Sequence, residues 1–212
     1  MIKIEKQLSS ELLNPLHPQW EQVNGIHVDL SPTPIAMQPT KAIRAAFEDK
    51  KYGLIEQANF QAVHDGQSVY FRTSWKDAHK DDRVTDNDSF VDQMALMLPL
   101  TKNSVFLTMG SMSDPVELWR WKADQETPQQ IKAEGVGTTE NIQDDAMQSQ
   151  AVWKDGRWYV VMQRDMVTPS DNSANFIPGE QQRCSLALWA GHNQERGGIK
   201  SISMRWIPLD VI

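Results

Sequence analysis

Hydrophobic residues in this chain recur at every second position, in short runs separated by polar turns, and that period restricts the fold more than any other feature. Between Ser68 and Trp75, the residues Val69, Phe71, Thr73 and Trp75 alternate with Tyr70, Arg72 and Ser74, as in a strand with one buried face. His64-Asp65-Gly66 precedes the run and reads as a hairpin turn. The arrangement repeats as Gln150 to Lys154, an Asp155-Gly156 turn, and Arg157 to Arg164. Further strands are expected at Ile26 to Leu30, Val105 to Thr108, Val116 to Lys122, Cys184 to Trp189 and Ile202 to Trp206. Many short strands with polar turns predict a mainly β fold, an antiparallel β-sandwich with a few short helices and long loops. The helices are expected at Thr40 to Glu48 and at Ser89 to Leu98, with Asp88-Ser89 capping the second. Trp75 to Asp88 and Thr127 to Asp145 read as long loops, and a sandwich places binding residues on such loops. No repeat, low-complexity tract or linker divides the chain, so residues 1–212 are expected to form a single domain.

Composition removes several functional classes. The formal net charge is −7 and the 21 Lys and Arg are spread rather than blocked, which argues against nucleic acid as a partner. The longest apolar runs, Met94 to Leu100 and Trp158 to Met162, are too short to cross a bilayer. Cys184 is the only cysteine, so an intrachain disulfide, a thiolate zinc site, an iron–sulfur cluster and covalent haem attachment are all excluded. The first residues lack an apolar h-region, and no export signal is expected in the sequence itself.

One segment stands out against this background. Thr108-Met109-Gly110 forms a methionine-glycine corner shortly before the tryptophan-bearing run Val116 to Lys122. A thioether on a tight turn is a potential axial ligand to haem iron, and it is equally ordinary core filler. His17, His27, His64 and His79 have no metal-like spacing, and His192 sits in the turn Ala190 to Asn193, where a surface role is the simpler expectation. The carboxylate pairs Asp81-Asp82 and Asp144-Asp145 lie in polar stretches and read as solvated. No Gly-x-Ser-x-Gly elbow or plausible triad is present.

The ordered series carries more information than its members. The Asp65-Gly66 hairpin is followed by Asp88-Ser-Phe-Val-Asp92, Leu98-Pro99, Thr108-Met-Gly110 and Pro115-Val-Glu-Leu-Trp-Arg-Trp-Lys-Ala123. Then come Trp153-Lys-Asp-Gly-Arg-Trp158, Leu188-Trp-Ala-Gly-His-Asn-Gln-Glu-Arg196 and Gly198-Ile-Lys-Ser201. From about Leu12 to Leu209 this series resembles the haem b subunit of the ethylbenzene dehydrogenase type, a family that includes the gamma subunits of dimethyl sulfide dehydrogenase, selenate reductase and chlorate reductase.

The resemblance implies a β-sandwich that holds one haem b between a methionine and a lysine. It also implies an electron-transfer subunit with no active site of its own, partnered by a molybdenum-containing catalytic subunit of the dimethyl sulfoxide reductase superfamily, an iron–sulfur subunit and a soluble electron carrier. By position the methionine is Met109, with Met112 as the fallback. The family's lysine is expected just ahead of the strand leading to Leu188-Trp189, but no lysine occurs between Lys154 and Lys200. Arg183 takes the nearest position. A guanidinium has no lone pair to give to iron, so Arg183 is expected to pair with a haem propionate instead. Lys200 is then the candidate second ligand, the alternative being a solvated loop charge. Trp119 and Trp121 share one strand face and form either a wall of the haem slot or the sandwich core, while Arg120 and Lys122 either neutralise propionates or are surface charge. The family implies a periplasmic location, reached by export together with a signal-bearing partner. The competing expectation is a haem-free sandwich of the carbohydrate-binding-module kind, in which exposed tryptophans stack on sugars.

Overall fold

A computed structural model of the chain describes residues 1–7, 11–142 and 146–212. In chain order its elements are β1 (Ile2–Lys6), β2 (Ile26–Asp29), β3 (Ser31–Pro32), α1 (Lys41–Phe47), β4 (Gln57–His64), β5 (Ser68–Lys76), β6 (Gln93–Pro99) and β7 (Val116–Lys122). They continue with β8 (Gln129–Ala133), β9 (Glu140–Ile142), β10 (Gln148–Lys154), β11 (Arg157–Asp165), β12 (Gln181–Trp189), β13 (Ser201–Ile202) and β14 (Ile207–Val211). The hydrogen-bonded order runs β10-β11-β5-β4-β1-β14-β12-β6-β7-β8-β9, with β2 on β4 and with β13 bridging β12 and β3. Among the described residues nearly all pairings are antiparallel and β1 alone pairs parallel, with β14 through Ile2 to Ile4 and with β4 through Glu5 and Lys6. That five-residue strand joins two half-sheets, which close on each other as a sandwich.

Aromatic contacts across the gap define the core. Phe71 of β5 meets Trp119 of β7 with ring centroids 5.4 Å apart, and Trp121 meets Trp158 of β11 at 5.0 Å. Such edge-to-face pairs stabilise beyond the area they bury. Cys184 is fully buried in the same cluster. Between the layers lies a buried ion pair, Arg164 Nη1 of β11 to Glu117 Oε1 of β7 at 2.6 Å. Glu117 also accepts from Trp119 Nε1 (2.8 Å), Gln130 Nε2 (2.9 Å) and the Ala174 backbone N–H (2.9 Å). Arg164 stacks its guanidinium 4.8 Å from the Trp119 ring. Burial pushes the Glu117 carboxyl upward, against the pull of Arg164 and the donors around it.

Both hairpins fall where the turns place them. Asp155 and Gly156 adopt φ of 52° and 72°, the left-handed pair a two-residue hairpin needs, and β10 pairs with β11 from Gln148↔Gln163 to Lys154↔Arg157. Thr40 caps α1 by accepting from Ile43 N–H. Four expectations are corrected. The strand expected from Ile202 to Trp206 is confined to its first residue, because β13 is Ser201–Ile202 and the chain bends at Met204 and Arg205 before β14 begins. Ser89 to Leu98 is not a helix, because Gln93 to Pro99 is a strand buried on both faces; such a run has no polar face to reveal its period. Val105 to Thr108 is a turn, not a strand. The expected loop from Thr127 to Asp145 contains β8 and β9, and its Asp144-Asp145 pair lies outside the described residues.

Replacing Arg164 by Met is expected to leave the Glu117 carboxylate unpaired and to cost about 3–5 kcal/mol of stability. Urea unfolding should show E117Q/R164M recovering part of that loss, and a double variant no better than R164M would contradict the pairing.

Candidate functional site

The antiparallel register of β12, β6 and β7 sorts side chains into rows that share a face. Leu186, Leu96 and Trp119 form one row, and it points into the core. On the opposite face, Ala187, Ala95 and Arg120 lie side by side, next to the row of Ser185, Met97 and Leu118. Small residues at Ala95, Ala187 and Ser185 leave a hollow above the sheet. The loops around Met37, Phe106 and Lys200 cover it, producing an apolar cavity whose lining includes Met109 and Lys200.

Local structure aims both of these side chains. Met109 has φ of 55° and Gly110 φ of 79°. A left-handed methionine is uncommon, and it is fixed here by Met109 N–H to Phe106 O (3.1 Å), Gly110 N–H to Val105 O (2.9 Å) and Gly135 N–H to Met109 O (3.1 Å). A Cβ on Gly110 would meet Asp114 O at 2.7 Å, so the corner requires glycine. Met109 packs against the cluster of Met97, Val116, Leu118, Ile131 and Ala133.

Lys200 comes from the segment entering β13. Its carbonyl accepts from Thr33 N–H (2.9 Å) and Thr33 Oγ1 (3.3 Å), which ties it to the opposite loop. Its Nζ stands 4.7 Å from the centre of the Trp189 ring and takes part in no salt bridge among the described residues. Burial, with a smaller contribution from the nearby Arg120 charge, lowers its pKa to about 8. The neutral amine, with its free lone pair, is therefore within easy reach.

The other expected site residues lie elsewhere. Met112 is 85% exposed and does not line the cavity. Trp119 and Trp121 occupy the core, on the reverse face of β7 from the cavity, where strand alternation places odd-numbered residues of that strand. Arg183 stacks on Trp206 with 5.0 Å to the ring centre, donates to Ser104 O at 3.2 Å and lines a separate groove. Sequence reasoning missed Gln38, Ala95 and Ala187. Gln38 Nε2 donates to Gly198 O at 2.9 Å, while its Oε1 is buried at the cavity with no hydrogen-bond partner among the described residues.

A second polar cluster sits where β5 and β12 end. Asp92 accepts from Gly191 N–H (2.9 Å), Asp81 N–H (2.9 Å) and Trp158 Nε1 (2.8 Å), joining three segments. His192 stacks on His79 with centroids 4.2 Å apart and approaches Asp81 at 3.4 Å. His192 lines no part of the cavity. Asp81, expected to be solvated, accepts the His192 backbone N–H at 2.8 Å, so it belongs to this loop clamp. Burial raises the Asp92 pKa to about 7. With the folded value above the unfolded one, its contribution to stability is complete below about pH 4 and is lost as pH rises towards 7. Urea unfolding from pH 4.5 to 8 should therefore show the stability of the wild type falling relative to D92N up to about pH 7 and running parallel above it. Parallel curves over the whole range would refute this.

Fold and site together define a class: a β-sandwich with a thioether and a buried amine lining one apolar slot on the outer face of a half-sheet. The family model described as ethylbenzene dehydrogenase matches residues 17–151 and 143–201, and the chain belongs to that family. It is similar to a heme subunit assigned to respiratory nitrate reductase in Haloferax mediterranei, with 30% identity over 190 residues, 89% of this chain and 65% of that protein. It is similar to the chlorate reductase gamma subunit of Ideonella dechloratans, with 31% identity over 152 residues, 70% of this chain and 62% of that one. The dimethylsulfide dehydrogenase gamma subunit of Rhodovulum sulfidophilum shares 25% identity over 199 residues, 89% of this chain and 71% of that protein. The chain thus spans slightly less than two thirds of the first two relatives. Among solved structures, a family 9 carbohydrate-binding module from Caldicellulosiruptor kristjanssonii in complex with cellotriose superposes with TM-score 0.51 at 9% identity, covering 99% of this chain and 92% of that one. A Bacteroides uniformis protein proposed to bind carbohydrate does so with TM-score 0.56 at 9% identity, covering 100% and 98%. At that identity the likeness concerns the fold.

Proposed function

We propose that this chain is a haem b-binding electron-transfer subunit, with the iron held between Met109 and Lys200. The observation that carries the reading is that these two side chains, 91 positions apart in sequence, line one apolar cavity. The cavity suits the group in three respects. Small residues at Ala95 and Ala187 line its floor, the walls are largely apolar, and the donor set is one thioether and one amine of lowered pKa. The cavity as it stands measures about 60 Å³, so the covering loops would have to move outward to admit the macrocycle. The Gln38 amide oxygen adds an unused acceptor at the same place.

Haem supplies a one-electron ferric–ferrous couple when bound, and a thioether ligand favours the ferrous side. The protein's share is positioning. The 105–110 turn fixes the Met109 backbone, Thr33 fixes the Lys200 backbone, and burial lowers the Lys200 pKa to about 8, so that the amine would bind iron in competition with a proton. The finer setting is an expectation of the same reading. It comprises a complex with a molybdenum-containing catalytic subunit and an iron–sulfur subunit, exchange with a soluble carrier, and a periplasmic location reached with a signal-bearing partner. Support comes from the relatives, one a heme subunit and two gamma subunits, and no helix among the described residues is long and apolar enough to span a membrane. The carbohydrate-binding alternative has the fold in its favour, but no tryptophan is among the exposed large hydrophobics of the described residues, and stacking on sugars needs such a platform.

The purified protein, supplied with haem b and reduced by dithionite, should give the sharp α band of a low-spin b-type haem. M109A and K200M should each abolish the low-spin spectrum and weaken haem binding about tenfold or more, whereas M112A should keep it. A wild type that stays colourless, or low-spin spectra retained in both variants, would defeat the assignment.

A further inference from the structure

Arg120 is the next residue on the cavity face of β7 after Leu118, and it lies directly opposite Ala95, which lines the cavity. The row Ile202, Ala187, Ala95 therefore leads across the floor to a guanidinium. That guanidinium is half-buried. It donates through Nε (2.8 Å) and Nη2 (2.5 Å) to a single neutral acceptor, Gln129 Oε1 of β8, and takes part in no salt bridge with a carboxylate among the described residues. Lys122, two residues on, shares the same face and likewise forms no ion pair among the described residues. Some other cations of the chain do find carboxylates, as Lys132 does Glu134 at 2.9 Å and buried Arg164 does Glu117 at 2.6 Å, while Arg72, also held by neutral acceptors, lies on a different strand, β5. A partly desolvated guanidinium held in place by a neutral amide is costly unless an anion comes to it. The opposite end of the cavity, formed by Phe106, Leu107 and Val136, is apolar. The site thus has a cationic edge and a hydrocarbon edge.

We propose that Arg120, assisted by Lys122, anchors the carboxylates of the bound group, so that the haem lies with its propionate edge towards β7 and β8 and its vinyl edge towards Phe106 and Val136. This rests on the haem reading above and replaces Arg183, which is committed to Trp206 and the 102–104 carbonyls, as the propionate partner. Arg120 is a positioning residue: it touches the carboxylates and sets the rotation of the macrocycle between Met109 and Lys200. Gln129 orients it, and the fork geometry of a guanidinium suits a carboxylate in two-point contact.

The test compares protohaem with its dimethyl ester, in which both carboxylates are blocked, by Soret titration of wild type, R120Q, R120K and R183Q. The wild type should bind protohaem at least tenfold more tightly than the ester. R120Q should remove that preference, leaving affinity for the ester unchanged, R120K should keep part of it, and R183Q should behave as wild type. Equal affinity of the wild type for the two haems would overturn the proposal, as would a preference that survives in R120Q or vanishes in R183Q. Binding of neither haem by the wild type would overturn both this inference and the haem reading, whereas equal binding of both would overturn this one alone.

Discussion

The alternation of β7 is the constraint on which the site depends. Glu117, Trp119 and Trp121 face inward, where the carboxylate is fixed by Arg164 and the two indoles are wedged against Phe71, Trp75 and Trp158. Leu118 and Arg120 consequently face outward. A one-residue slip would exchange the two sets, and the desolvated Glu117–Arg164 pair makes such a slip prohibitive, since a buried charge tolerates no loss of its partner. The inner lock therefore holds the outer face in register. Ala95, Ala187 and Leu118 then arrive together beneath the loops that bring Met109 and Lys200.

Those loops are tied down by backbone hydrogen bonds instead of extensive packing. The methionine corner hangs on three backbone bonds and a glycine that tolerates no Cβ. The lysine segment hangs on Thr33 and on the short β3–β13–β12 ladder. Met109 and Lys200 therefore reach the cavity from two separately anchored loops. The Asp92 clamp serves the same end from further away, because it joins the 81 and 191 segments just before the chain turns towards Lys200.

Much of this was legible in the sequence. Period-two runs with Asp-Gly turns located β5, β10 and β11, and the methionine-glycine corner marked one side of the cavity. Other parts were not legible, for identifiable physical reasons. β6 is buried on both faces, so its residues carry no polar alternation and imitate a helix. Trp119 and Trp121 were known to share a face, but which face met the core depends on the partner sheet and the Glu117–Arg164 pair. Met112 and Met109 look alike in sequence and differ in structure by a turn that half-buries Met109 against a hydrophobic cluster and leaves Met112 exposed. Lys200 was found by elimination, as the lysine left near a family motif, and only the tertiary fold brings it to Met109. Arg183 took the expected place in sequence, yet its stacking on Trp206 leads it away. The role of Ala95 and Ala187 is carried by what they lack, and small side chains leave no signal in a single sequence.

The most direct test of the central claim is a crystal structure of the haem-loaded protein with the iron located by its anomalous scattering. The iron should lie between Met109 Sδ and Lys200 Nζ, above Ala95 and Ala187. Iron found beside His192, in the groove of Arg183 and Trp206, or bound by neither Met109 nor Lys200 would contradict the account.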